Sequence, residues 1–173
     1  MKVPGPAELE KLAVRVGALL LANGQKLATA ESCTGGWVAQ SLTAISGSSE
    51  WFERGFVTYS NAAKMEMLGV SEDTLMAHGA VSQAVAVAMA EGALRHSRAD
   101  WAIAITGVAG PSGGSASKPV GTVCFAWACR DGRMTTETRH FEGDRTVVRA
   151  RSVAYALSGL LARLTSPVDG LVA

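Results

Sequence analysis

The segment KLATAESCTGGWVAQSLT, residues 26–43, decides the fold. Residues 26–31 predict a short strand, the SCTGG stretch that follows forms a tight turn, and the remainder continues as a helix. Such a turn lies at the carboxyl edge of a sheet, where Ser32 can expose its hydroxyl. The N–H groups of Thr34, Gly35 and Gly36 follow at the helix start and can contact an oxyanion or a substrate. Ser32 is therefore a candidate nucleophile, and helix capping by Ser32 or Thr34 is the alternative.

The hydrophobic pattern on either side extends this unit into one α/β domain. Helices are predicted over residues 7–23, 60–68, 71–77, 82–98 and 144–164, and strands over residues 52–59, 101–106, 120–129 and 134–141. Asp131-Gly132 predicts an antiparallel hairpin, whereas the earlier strand–helix units favour parallel crossovers. We therefore expect a mixed sheet within a single domain of residues 1–166, followed by a frayed tail at 167–173. The helix at 82–98 lacks large side chains, which suggests close packing.

Length, composition and charge exclude several classes of protein. The chain has 173 residues, of which 48% are hydrophobic, so one domain with a real core is expected. The formal net charge of +1 offers no electrostatic basis for binding nucleic acid or an anionic membrane. Three sparse cysteines, no signal-peptide pattern and no long apolar run favour a cytoplasmic protein. We expect no nucleic acid and no membrane among its partners.

The segment YSNAAK, residues 59–64, offers a base for the nucleophile. A hydroxyl nucleophile needs a base, and a lysine can serve when burial lowers its pKa. Tyr59 ends a predicted strand and Lys64 lies on the next helical turn, so both can face one cleft. The spacing is one residue longer than in the Y-x-x-x-K pair of short-chain dehydrogenases. A solvated surface lysine is the alternative interpretation.

A glycine-rich loop, TGVAGPSGGSASKP at residues 106–119, offers backbone N–H groups that can cradle an anion. The candidate contacts are Thr106, Gly107, Gly110, Gly113 and Gly114. The residue order differs from that of a Walker loop. Ser115 and Lys118 match S-x-x-K, but that chemistry needs a helix, which the following Pro119 opposes. A mobile surface loop is the alternative.

Two arginines mark the start of the last predicted helix. The dipole disfavours a cation at this end, and Arg149 lies one turn after Arg145 on the same face. The pair suggests a bound anion such as a phosphate, and pairing with Glu142, Asp144 or another acid is the alternative. The histidines and cysteines are scattered, so we expect no metal and no cofactor.

Together these motifs resemble the CinA C-terminal domain family, which includes stand-alone nicotinamide mononucleotide deamidases. The matching stretches are TAESCTGG (29–36), GFVTYSNAAK (55–64), GVS..TL..HGAVS (69–82), AMAEGA (88–93), AITGVAGPSGG (104–114), KPVGTV (118–123) and FEGDR..VR (141–149). Their combination and order are specific, whereas any one of them alone is weak. Glu53 and Arg54 precede Gly55 where many relatives have a glycine pair, a departure that bears on the turn before Tyr59.

The resemblance implies a three-layer α/β/α sandwich and hydrolysis of the carboxamide of nicotinamide mononucleotide to nicotinate mononucleotide and ammonia. It further implies Ser32 as nucleophile, Lys64 as base and Tyr59 as an aid to proton transfer or orientation, without a metal. Thr106 with its glycine loop, and Arg145, would bind the substrate. The alternative is a non-enzymatic nucleotide-binding module linked to competence or the response to DNA damage. We also expect a homo-oligomer, whose size the sequence does not define.

Overall fold

The computed structural model describes residues 2–166, so the predicted tail at 167–173 lies outside the described residues. The helices are α1 Pro6–Ala22, α2 Trp37–Thr43, α3 Asn61–Leu68, α4 Glu72–His78, α5 Gln83–Arg95 and α6 Arg145–Thr165. The strands are β1 Leu27–Glu31, β2 Phe52–Val57, β3 Trp101–Gly107, β4 Thr122–Cys129 and β5 Met134–His140. A 3-10 turn, Ser48–Glu50, precedes β2. Within residues 2–166, no helix is both long and apolar enough to cross a bilayer.

The strands form one mixed sheet in the order β2-β1-β3-β4-β5. β1 runs parallel to both of its neighbours, and Glu31 pairs with Val57 on one side and Ile105 on the other. β4 is antiparallel to both β3 and β5, and its pairing with β5 confirms the predicted hairpin. Because β1, β2 and β3 are parallel, the segments that follow them emerge at the same edge of the sheet.

The two faces of the sheet carry side chains of different size. Large residues face α1, α2 and α6, and they include Leu27, Ile103, Ile105, Phe125 and Trp127. Alanines face α5 on the other side, at positions 28, 30, 102, 104, 126 and 128. Helices therefore cover both faces, which confirms the α/β/α sandwich, and the alanine face explains why α5 itself carries mostly small residues.

The packing of α3 on α5 also depends on a small residue. A Cβ at Gly92 of α5 would lie 2.1 Å from the carbonyl oxygen of Leu68, the last residue of α3. No side chain fits in this space, so the two helices approach backbone to backbone. This contact determines how closely α3 packs on α5.

Several predicted boundaries were wrong by two or three residues. β2 ends at Val57 instead of residue 59, because Ser60 already caps α3 by accepting a hydrogen bond from the Ala63 N–H. α5 ends at Arg95 instead of residue 98. At this helix end the Arg130 guanidinium donates to the carbonyl oxygens of Leu94 and Ser97. The departure at Glu53 and Arg54 is accommodated by a register shift between β2 and β1. The neighbouring residues Leu27 and Ala28 of β1 pair with Phe52 and Arg54, so β2 has one extra residue here.

Candidate active site

A buried carboxylate organises the turn that follows β1. Glu31 is only 1% exposed, and its carboxylate accepts hydrogen bonds from the Thr34 hydroxyl at 2.7 Å and from the N–H groups of Val38 at 2.8 Å and Ala39 at 3.0 Å. Burial raises the pKa of Glu31, while the donors at the start of α2 act in the opposite direction. Glu31 thus ties the end of β1 to the start of α2 and fixes the turn between them.

The same turn is held from the opposite side by α6. Arg149 donates to the carbonyl oxygens of Cys33 at 3.1 Å and Thr34 at 3.0 Å, and its guanidinium stacks on the Trp37 ring. The alternative interpretation, in which Arg145 and Arg149 pair with Glu142, Asp144 or another acid, was wrong, because neither arginine forms an ion pair within residues 2–166. Arg149 is occupied by the turn itself, so the idea of an anion held between the two arginines now depends on Arg145.

Ser32 meets Lys64 at this turn. Lys64 reaches from α3 and donates from Nζ to Ser32 Oγ at 3.1 Å and to the Thr58 carbonyl oxygen at 2.9 Å. Both side chains are buried, with exposures of 8% for Ser32 and 2% for Lys64. The interpretations of Ser32 as a helix cap and of Lys64 as a solvated surface residue were therefore wrong: no helix N–H bonds to Ser32 Oγ within the described chain, and Lys64 is in the interior.

The surroundings of Lys64 favour its neutral form. Burial lowers the pKa of Lys64, and no carboxylate of residues 2–166 forms an ion pair with it. A lysine in such a place can accept a proton from a neighbouring hydroxyl. The adjacent thiol is a poor competitor as nucleophile, because burial raises the pKa of Cys33 to about 12.

Tyr59 and Arg145 form a bridge at the same edge of the sheet. Arg145 donates to the Tyr59 hydroxyl at 2.7 Å and to the Gly110 carbonyl oxygen at 2.9 Å. Tyr59 follows β2 and Gly110 follows β3, and β1, which ends just before Ser32, lies between these strands. The bridge therefore joins the loops on either side of Ser32. Tyr59 itself is 61% exposed, and within the described chain its hydroxyl is hydrogen-bonded to Arg145 instead of Ser32 or Lys64.

The remaining predicted substrate contacts differ in what they can offer. The Thr106 hydroxyl donates to the Ala80 carbonyl oxygen at 2.8 Å, and the Thr34 hydroxyl is held by Glu31. Their side chains are thus engaged in the fold. Residues 111–117, which include Gly113 and Gly114, are exposed. Gly107 is the last residue of β3 and pairs with Val123 of β4.

The structure agrees with the sequence-based rejection of an S-x-x-K site at Ser115 and Lys118. Residues 115–118 lie outside any helix, and Ser115 Oγ accepts the Lys118 backbone N–H. The Lys118 amino group instead donates to the His78 carbonyl oxygen at 2.7 Å. Within residues 2–166, no three His, Cys, Asp or Glu side chains are grouped so that they could hold a metal ion.

Two buried residues next to the site escaped the sequence analysis. Glu31 is an acid that ends a strand just before a serine turn and a helix, and this pattern is a usable signal for a carboxylate at a helix N-terminus. Thr58 directly precedes Tyr59 but is not among the residues predicted for the site. Its N–H donates to the Glu31 carbonyl oxygen at 2.8 Å, which extends the pairing of β2 with β1 up to the site.

The fold and site define a class: an α/β sandwich with a buried serine–lysine pair where its central parallel strand ends. The CinA C-terminal domain family matches residues 9–164, and the chain belongs to this family.

Named relatives resemble the chain over most of its length. One is the nicotinamide-nucleotide amidohydrolase PncC of Escherichia coli K12, which is 58% identical over 154 residues, covering 89% of this chain and 93% of the relative. A putative competence-damage inducible protein of Symbiobacterium thermophilum is 54% identical, but the match covers 86% of this chain and 37% of that longer protein. The crystal structure of a competence/damage inducible protein from Agrobacterium tumefaciens has a TM-score of 0.89 and 47% identity, covering 96% of this chain and 99% of that chain.

The role of Glu31 in the turn can be tested by Glu31→Gln. A glutamine oxygen can still accept from Thr34 and Val38, but its amide would face the Ala39 N–H, so one bond is lost and two donors oppose each other. We expect the free energy of unfolding to fall by about 1–3 kcal/mol in urea titrations. Glu66→Gln on the exposed side of α3 is the control and should change little. Equal stability of the two variants would remove this role from Glu31.

Proposed function

We propose that this protein is a nicotinamide-nucleotide amidohydrolase that converts nicotinamide mononucleotide to nicotinate mononucleotide and ammonia. The observation that carries the proposal is the 3.1 Å contact between Lys64 Nζ and Ser32 Oγ, buried at the end of a central strand. The 58% identity to the amidohydrolase of Escherichia coli supports the choice of substrate.

In the first half of the reaction Ser32 attacks the carboxamide carbon. Neutral Lys64 accepts the hydroxyl proton as the Ser32 Oγ–carbon bond forms, and then passes it to the departing nitrogen, which leaves as ammonia. The N–H groups of Cys33 and Thr34 precede α2 and, within residues 2–166, have no acceptor from another residue. They are therefore suited to hold the negative charge on the carbonyl oxygen.

In the second half, water hydrolyses the ester on Ser32. Lys64 accepts a proton from the water as its oxygen bonds to the acyl carbon, the ester bond to Ser32 Oγ breaks, and the proton returns to Ser32. Lys64 thus serves both steps, and the amino group ends each cycle neutral. Tyr59 would orient the substrate through its bond to Arg145.

The substrate phosphate is assigned to Arg145 and the adjoining glycine loop. Within residues 2–166 both hydrogen-bond partners of Arg145 are neutral oxygens, so its positive charge is available to an anion. Gly107, Gly110, Gly113 and Gly114 would bring backbone N–H groups close to the ligand, with Thr106 fixing the start of the loop. We place the reaction in cytoplasmic recycling of pyridine nucleotides, a setting compatible with three free cysteines.

The proposed reaction is tested by measuring ammonia and nicotinate mononucleotide released from nicotinamide mononucleotide. The native protein should form the two in equal amounts, and Ser32→Ala should lower turnover by at least about a thousandfold while the fold is kept. Ser158→Ala, exposed on α6, should retain native turnover. Binding of the nucleotide without ammonia release would favour the non-enzymatic module instead.

A second prediction concerns the base and its pH dependence. Since the base must be neutral and burial lowers the pKa of Lys64, kcat/KM should rise with pH through that lowered pKa and then level off. Lys64→Arg keeps the charge but cannot give up its proton, so activity should fall by about a hundred- to ten-thousand-fold and the rising limb should disappear. Lys11→Arg, exposed on α1, is the control. Substantial activity in Lys64→Arg would show that Lys64 acts only as a charge.

Arg145→Ala tests recognition of the phosphate. The variant should lower kcat/KM for nicotinamide mononucleotide by about ten- to a hundred-fold, because a charged hydrogen bond is lost. Nicotinamide riboside, which has no phosphate, should be a poor substrate whose rate changes little in the variant. Arg15→Ala, exposed on α1, should affect neither compound. Equal losses for the two substrates would assign Arg145 to the Tyr59 bridge alone.

A further inference from the structure

A buried hydroxyl beside the serine–lysine pair has no partner. Thr58 is completely buried, and its Oγ1 forms no hydrogen bond with any atom of residues 2–166. Its backbone is fully engaged, since the N–H donates to Glu31 and the carbonyl oxygen accepts from Lys64 Nζ. An unpartnered buried hydroxyl is costly, so its presence next to a reactive pair calls for a ligand.

The course of β2 determines which way this hydroxyl points. Phe56 packs into the cluster of α5 and the alanine face, whereas Val57 lies on the α2 side, where its Cγ2 would be 3.3 Å from a Cβ at Gly36. Side chains alternate along a strand, and the Thr58 N–H continues the ladder. Thr58 Oγ1 is therefore on the same side as Phe56, which is the side from which Lys64 enters.

Lys64 has capacity for one more hydrogen bond at this place. Its Nζ is within reach of Ser32 Oγ and the Thr58 carbonyl oxygen, and an amino group with these two neighbours retains a further bonding direction. Thr58 Oγ1 and Lys64 Nζ thus offer two polar atoms to a small molecule next to Ser32. A water molecule has the size and the hydrogen-bonding capacity that these two atoms can hold.

We propose that Thr58 is a positioning residue that holds the hydrolytic water, jointly with Lys64, for attack on the acylated Ser32. This inference rests on the proposed function. The departing nitrogen is bonded to the substrate and needs no holding, but a free water in a buried site must be ordered before it can attack. Thr58 therefore acts mainly in the second half of the reaction: the oxygen of the held water bonds to the acyl carbon, its proton moves to Lys64, and Ser32 Oγ leaves.

The test is Thr58→Val, which keeps the shape of the side chain and removes the hydroxyl. With nicotinamide mononucleotide we expect a burst of about one ammonia per site, followed by steady turnover lowered by about tenfold or more. Intact-protein mass spectrometry after acid quenching should then show the acyl group on the protein. Thr58→Ser retains the hydroxyl and should restore turnover without the adduct.

The chain offers a matched control in Thr29→Val. Thr29 is also fully buried with an unpartnered hydroxyl, but it lies on the α2 side of the sheet, close to Gly55 and Ala39. This variant should turn over like the native protein. Native-like turnover in Thr58→Val, or a lower rate without burst and adduct, overturns the inference. Thr58→Ala gives the same decision if the valine variant does not fold. If the native protein releases no ammonia, the proposed function fails and the inference falls with it.

Discussion

The site depends on a carboxylate that has been taken out of water and placed at the start of a helix. Glu31 has no cation as a partner within the described chain, and its three donors are the Thr34 hydroxyl and two N–H groups of α2. A buried carboxylate without these donors would be strongly unfavourable. If the start of α2 moved away from β1, the buried carboxylate would lose its hydrogen-bond donors, which is energetically unfavourable. Ser32, which directly follows Glu31, is therefore held in place.

The alternation of β1 keeps this carboxylate away from the lysine. Glu31 points to the α2 side of the sheet, whereas Lys64 enters from α3 on the other side. A carboxylate in contact with the amino group would favour the charged form and raise its pKa. Burial is the main influence on Lys64, so its pKa is lowered. Glu31 directly precedes Ser32 in the chain and Lys64 contacts the Ser32 side chain, yet the two ionisable groups lie on opposite sides of the sheet and have different surroundings.

Much of this arrangement was accessible from the sequence, and the rest was not, for a physical reason. Local patterns predicted the strand, turn and helix around Ser32, the hairpin and the mixed sheet, because each depends on neighbours in the chain. The pairing of Ser32 with Lys64 was predicted from chemical need and from the resemblance. The contacts of Arg149 with Cys33 and Thr34 span more than a hundred residues, and no spacing reveals which carbonyl oxygens will lie beneath a guanidinium.

The position of those arginines follows from the packing of α6 at its far end. Trp127 of β4 donates to the Ala156 carbonyl oxygen at 2.9 Å, and a Cβ at Gly159 would lie 2.2 Å from its ring. The helix is therefore pressed against the antiparallel half of the sheet, where large side chains form the core. Since α6 is continuous from Arg145 to Thr165, fixing its second half also directs its first turns. The antiparallel strands thus contribute to the site indirectly, by aiming Arg145 and Arg149 at loops that belong to the parallel half.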